Sequence, residues 1–395
     1  ARREGFTVAG AFLLYGSVFF DRLAPLYLVG LVAADLGVPS AWEGTLALCI
    51  GLGWATAMPL VRATTGLLTD RRRILLAAGV SGTVSLLSST APGWVVFVLL
   101  RGLGGLASGS GAPAVTSLVF SSAPEERRGR DLGIVQSSTR LLGSFVSPVV
   151  VTAVAVAAGW RAAIATSGTV LLVGAVLLAV LVPRGTERAP GRHTRHDFRY
   201  RPGGRRNVWL CTVACAVLLG WLTVWSQSSV AVIRTWLEVG PDAAGRYVGV
   251  FGVGAAAGAL LLPVVSDRIG RRHALGLAAV LGGSGGLAVG GLAAAGARPP
   301  AVVLWAALFL AGSAMGGLPL VISIVPAETV AIGDVGRALT IPIAGGEVFG
   351  SSALPLLAAA AAVPLGRPVV LMVAAAAVVG LVAVAALLRP LAPSD

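Results

Sequence analysis

Lysine is absent from this 395-residue chain, and charge of either sign is scarce at 12% of residues. A soluble domain carries about 25% charged residues. A chain this poor in charge cannot cover its own surface in water, so a soluble globular protein is excluded. Only three Cys occur (Cys49, Cys211, Cys215), all within apolar stretches and without metal-ligand spacing, so neither a disulfide framework nor a zinc site is implied. The three His (His193, His196, His273) fall outside the apolar stretches. No His-Glu-x-x-His, Gly-x-Ser-x-Gly or Walker-type phosphate loop is present, which argues against an intramembrane enzyme and against ATP-driven pumping.

Apolar residues are abundant instead, at 56% with a mean hydropathy of +0.87. A bilayer core about 30 Å thick takes about 20 apolar residues per spanning helix. That ruler gives twelve candidate spans: 7–32, 43–62, 74–90, 94–120, 132–157, 161–182, 208–237, 245–265, 274–296, 300–327, 336–362 and 368–388. Continuous apolar runs without strict alternation mean helices, not a barrel. The first run is long enough to span and does not read as a cleavable signal peptide. The many Gly and Pro within the runs suit close helix packing in lipid.

All 30 basic residues are Arg, as a GC-rich bacterial genome tends to produce, and they give a net charge of +13. Their placement points to topology and not to nucleic acid. They concentrate at Arg2 and Arg3, at Arg71, Arg72 and Arg73, and at Arg127, Arg128 and Arg130. Further clusters are Arg268, Arg271 and Arg272, and eight arginines between Arg184 and Arg206. The opposite loops hold chiefly Arg161, Arg246, Arg298 and Arg367. Cytoplasmic loops carry the basic excess, so both termini are expected on the cytoplasmic side of the cell inner membrane.

An internal echo divides the chain. Asp70-Arg71 follows span 2 and Asp267-Arg268 follows span 8. Pro124-Glu125 through Gly129-Arg130 after span 4 is matched by Pro326 through Glu328 and Gly336-Arg337 after span 10. The expected organisation is a six-helix half at 1–182, a polar Arg-, Gly- and Pro-rich linker at 183–207, and a second half at 208–395.

The motifs themselves carry a resemblance. Gly66-Leu67-Leu68-Thr69-Asp70-Arg71-Arg72-Arg73 and Pro263-Val264-Val265-Ser266-Asp267-Arg268-Ile269-Gly270-Arg271-Arg272 are two degenerate copies of the loop motif of the major facilitator superfamily. Arg101-x-x-x-Gly105-x-x-x-Gly109-x-x-x-Pro113 in span 4 and Gly159-Trp160-Arg161 also look like that family. Phe20-Asp21-Arg22 with Pro25, Pro326-Ala327-Glu328-Thr329 and Gly346-Glu347-Val348-Phe349-Gly350 resemble its organic-anion (anion:cation) symporter branch. Two departures bear on proton symport. The branch's titrating Glu in span 4 is Ser108 here, and its Trp-Leu-Pro in span 7 is replaced by Val232-Ile233-Arg234.

The resemblance implies an all-α membrane protein of twelve helices in two pseudo-symmetric bundles, working by alternating access as a monomer without cofactor or metal. The expected substrate is a small organic anion such as a carboxylate or sugar acid, with protons as the coupling ion. The alternative is a proton antiporter that exports a drug or metabolite, to which Gly143-x-x-x-Ser147-Pro148 in span 5 lends an incomplete motif.

Charges inside lipid are costly, so those in the spans are the functional candidates. Arg22, Arg101 and Arg140 are expected to bind substrate, because guanidinium grips carboxylate in bidentate fashion. Gln136 and Gln227 join them as cavity-lining polar groups, with Ser228 and Ser229 beside Gln227. Asp21 and Glu347 are the candidates for proton coupling. Asp21 and Arg22, as consecutive residues, point about 100° apart around the helix. Asp70, Arg71, Asp267 and Arg268 are expected to act as gating latches at helix ends.

Overall fold

A computed structural model describes residues 2–63, 67–124, 127–182, 200, 203–330 and 335–388. Most of the expected linker, together with Gly66, Glu125, Glu126 and 331–334, lies outside the described residues. An isolated bridge pairs Tyr200 with Val330. The rest of the described residues form helices and short turns.

Ten helices are long and apolar enough to cross a membrane. One of them, Arg130–Leu181, is two spans, because Gly159 stands in a non-helical, positive-φ conformation (φ 84°) and turns the chain. Asp70–Ser88 completes the twelve, its mean hydropathy lowered by the three arginines of its first turn. The spans are α1 (2–35), α2 (Gly44–Ala63), α3 (Asp70–Ser88), α4 (Trp94–Ser122), α5 (128–158) and α6 (160–181). The second set is α7 (Gly204–Leu237), α8 (Pro241–Ile269), α9 (Arg271–Ala294), α10 (301–328), α11 (335–365) and α12 (Arg367–Leu387). Several run a turn beyond the apolar stretches. The hydrocarbon sets the apolar length, but a helix continues through the headgroup layer. For that reason Asp70 opens α3 and Asp267-Arg268 closes α8, although both were expected in loops.

The first six spans pack among themselves and the last six do likewise. Glycine decides how closely. A Cβ on Gly105 would overlap the Ile50 backbone of α2, and one on Gly312 of α10 would overlap Phe251 of α8. The Gly105–Gly109 stripe of α4 thus receives α2. Outward faces are apolar, as Val95, Leu99 and Leu103 along α4 illustrate, and suit lipid contact.

Two seams join the halves: α2 against α11 and α5 against α8. Gly44 and Gly51 of α2 lie against Leu356 and Ser352 of α11. Gly245, Gly249 and Gly252 of α8 lie against residues 144–152 of α5. These contacts occupy the end of the molecule away from the termini. There Arg367 donates to both carboxylate oxygens of Glu43 (2.8 and 3.0 Å), bridging α12 to the start of α2.

Three π-helical segments interrupt the spans: Leu141–Val146 in α5, Leu320–Ile324 in α10 and Gly346–Ala353 in α11. Such turns recur at functional sites. Pro148 and Pro355 follow the first and third, each lacking the N–H that an α-helical turn would use.

Candidate functional site

Among the described residues, five ionisable side chains stand buried in the middle of the spans: Asp21, Arg22, Arg101, Arg140 and Glu347. They sort into three arrangements.

Asp21 and Arg101 meet inside the amino-terminal half. The Asp21 carboxylate accepts from Arg101 (3.2 and 3.3 Å), from Ser167 (2.7 Å) and from Ser85. Arg101 also donates to the Asp21 backbone carbonyl at 2.6 Å. That carbonyl is available because Pro25, four residues on, has no N–H to offer it. Four spans (α1, α3, α4, α6) therefore converge on one carboxylate. Ser108, which replaces the branch's span-4 Glu, shares a hydrogen bond with Ser81 at 2.7 Å in the same half. Of the residues expected to bind substrate, Arg101 is the one placed away from the interface between the halves.

Arg22, one residue from Asp21, points the other way. It makes a bidentate pair with Glu347 of α11 (3.0 and 2.5 Å) and donates to Ser351 at 3.3 Å. Its guanidinium lies 4.3 Å from the Trp54 ring centroid. This pair ties the two halves together near the midplane. A narrow cleft adjoins it, lined by Arg22, Phe19, Leu26, Leu222, Thr223 and Ser351 among others.

Arg140 ends the α-helical part of α5, where the π segment begins. It is 7% exposed, and its Nη1 has no hydrogen-bond partner. No carboxylate stands within ion-pair distance of it among the described residues. Its neighbours are the hydroxyls of Tyr15 and Tyr27, the Cys215 thiol and the like charge of Arg22. Arg140 and Arg22 face the same ring, Phe19, at 5.9 and 5.6 Å. The Tyr15 hydroxyl lies within the electrostatic reach of both arginines and beside Gln136.

Unpartnered polar atoms continue across the seam. Gln227 Oε1 and Ser229 Oγ in α7 are buried without partners, and Ser144 Oγ in α5 faces the Tyr27 hydroxyl. Tyr27 stands between these helices, donating to the Gly143 carbonyl and accepting from Ser226, both at 3.4 Å. Buried polar groups are normally satisfied, so a cluster of orphans needs an explanation. A buried cation without a counter-charge, with unpaired polar atoms on the neighbouring spans, suits a small anion with hydrogen-bonding capacity.

Of the residues that sequence reasoning singled out, the structure pairs Arg22 with Glu347, places Arg140 over the same ring as Arg22, sets Gln136 beside Tyr15, and buries Gln227 in α7. That reasoning had no signal for Tyr15, Tyr27, Trp54 or Ser351. A tyrosine in an apolar run reads as core unless its hydroxyl is known to face a charge.

The motif residues sit at the end bearing the termini, each within its own half. Asp70 accepts from Ser117 at 2.6 Å. Arg71, not Asp70, meets a helix end: it donates to the Val182 and Ala179 carbonyls (2.8 and 2.7 Å) that close α6, where a cation is favoured. Asp267 accepts from Arg271, which also pairs with Glu328 at 3.0 Å, and Arg268 is exposed.

The sequence model of the Major Facilitator Superfamily matches residues 7–239. A probable sulfoacetate transporter, SauU of Cupriavidus necator, is 25% identical over 202 residues, 50% of this chain. The chain spans about half the length, 46%, of that curated relative. Among solved structures, a bacterial homologue of the human lysosomal transporter Spinster, inward-facing and occupied, superposes with a TM-score of 0.72. It is 14% identical over 98% of this chain and 96% of its own. The human organic anion transporter MFSD10 gives a TM-score of 0.68 at 15% identity, over 97% and 99%. At these identities the structures speak for the fold.

Proposed function

Because the chain belongs to the Major Facilitator Superfamily, a family of membrane transporters, we propose that it carries a small organic anion across the membrane by alternating access. One observation supports the anion most directly: Arg140 is buried between the halves with an unpartnered Nη1 and no acidic partner. An uncompensated guanidinium in low dielectric is unfavourable, and an anionic solute supplies the missing charge. Sulfoacetate, named for the relative, is a small organic anion and a first compound to test.

Substrate would sit near the midplane, held by Arg140 with Gln136, Gln227 and Ser144, while the halves 1–182 and 208–395 rock about it and the linker 183–207 joins them. Of the two acids expected to carry a proton, Glu347 is the better placed, since its single cationic partner comes from the opposite half. Asp21 is saturated by four donor groups within its own half, which favours a permanent brace. Asp70, Arg71, Asp267 and Arg268 are assigned to the gate at the terminal end, where Arg71 closes α6 and Asp267 holds Arg271. The arginine distribution supports cytoplasmic termini in a cell inner membrane, and nothing in the proposed cycle calls for more than a monomer.

The test is uptake into liposomes bearing the full chain, with labelled sulfoacetate and short carboxylates. Arg140→Ala is expected to reduce uptake at least about tenfold, the loss of a charged hydrogen bond of about 1.5–3 kcal/mol. Unchanged anion uptake in a folded Arg140→Ala protein would sink the reading. Uptake of cationic or neutral drugs instead would favour the exporter.

A further inference from the structure

Three arginines and two acids leave the central cluster one negative charge short, and the two arginines at the interface are held differently. Arg140 lacks a counter-charge, whereas Arg22 has one, but on loan from the opposite half. The two guanidiniums lie 5.6 and 5.9 Å from the centre of the same Phe19 ring, which brings both within reach of one short molecule. The cleft adjoins Arg22, and its polar lining is Arg22, Thr223 and Ser351.

From this juxtaposition, and resting on Arg140 as the anion anchor, we infer that the substrate is a short dianion. One anionic group pairs with Arg140 and the other takes Arg22 from Glu347. The physical reason lies in the cross-half bond. Arg22–Glu347 ties α1 to α11, and the halves cannot shift at this level while it holds. Parting it without a replacement leaves two buried charges unpaired, which is strongly disfavoured. A monoanion on Arg140 leaves the tie closed. A second anionic group replaces Glu347 at Arg22 in the same geometry, since guanidinium receives either carboxylate in bidentate fashion. The groups then around Glu347 are Tyr15 and Cys215, both also within the electrostatic reach of Arg140, with Ser351 beside Arg22. The proton proposed above for Glu347 would neutralise it there. Glu347 thus acts as an internal stand-in for half of the substrate.

The experiment compares matched pairs on the purified full chain by calorimetry and thermal shift: malonate, succinate and glutarate, each against its monomethyl ester. At least one diacid is expected to bind about tenfold or more tightly than its ester, the value of one charged hydrogen-bonded contact. Arg22→Gln should collapse that difference, and Glu347→Gln, which removes the competitor, should tighten the diacid. Esters that bind as well as their diacids in the wild type overturn the dianion and leave the anion site standing, and that comparison needs no variant to fold. A diacid preference that survives Arg22→Gln overturns the exchange at Arg22. Failure of every anion, diacid and ester alike, overturns both readings.

Discussion

Asp21 and Arg22 are consecutive on one helix, yet the ion pairs they form differ in kind. The Asp21–Arg101 pair lies inside one half, with serines from two further spans and a proline-freed carbonyl adding to its hydrogen bonds and Arg101 Nε left without a partner. The Arg22–Glu347 pair lies between the halves, next to a cleft and to an arginine with no counter-charge. Similar chemistry serves opposite ends. A network within a rigid body resists change, whereas a pair bridging two bodies can exchange partners. The neighbours diverge because a helix turns about 100° per residue, so the first faces its own bundle when the second faces the other.

The largest effect should come from breaking the pair inside one half. Asp21→Asn leaves Arg101 buried without its counter-charge, and loss of one partner of a buried pair costs about 3–5 kcal/mol. The detergent-solubilised variant should melt far below the wild type or fail to accumulate. A wild-type melting temperature would mean that Asp21 is free to titrate, and would erase the distinction between the pairs.

An intermediate effect is expected at the bridging pair. Glu347→Gln should shift the halves toward opening while lowering the melting temperature less than Asp21→Asn does. Cys215, buried beside Glu347, reports it. Its alkylation by a membrane-permeant maleimide, followed by peptide mapping, should rise about tenfold, in line with roughly 1.5–3 kcal/mol of lost charged hydrogen bonding. Alkylation at the wild-type rate would mean that the pair does not hold the halves closed.

The smallest effect belongs to the second bridge, Glu43–Arg367, at the end away from the termini. Arg367 is partly exposed, and its side chain shares in solvent screening. A double-mutant cycle of Glu43→Gln with Arg367→Gln should give a coupling of about 1 kcal/mol or less. A coupling as large as that of Asp21 with Arg101 would make this end, not the midplane, the principal lock.

Much of the molecule was determined by the one-dimensional pattern. Hydrocarbon thickness imposes a length on every apolar run, so twelve spans can be counted without coordinates. The cost of charge in lipid singles out Asp21, Arg22, Arg101, Arg140 and Glu347 by their position alone. Partner choice was decided only in three dimensions. Arg22 could have paired with Asp21 next to it, and Arg101 could have faced the cleft. Which carboxylate reaches which guanidinium depends on helix rotation, and that is set by glycine contacts, by π segments at 141–146 and 346–353, and by Pro25 releasing a carbonyl. These features act over distances that no local periodicity encodes, and they alone leave Arg140 without a counter-charge.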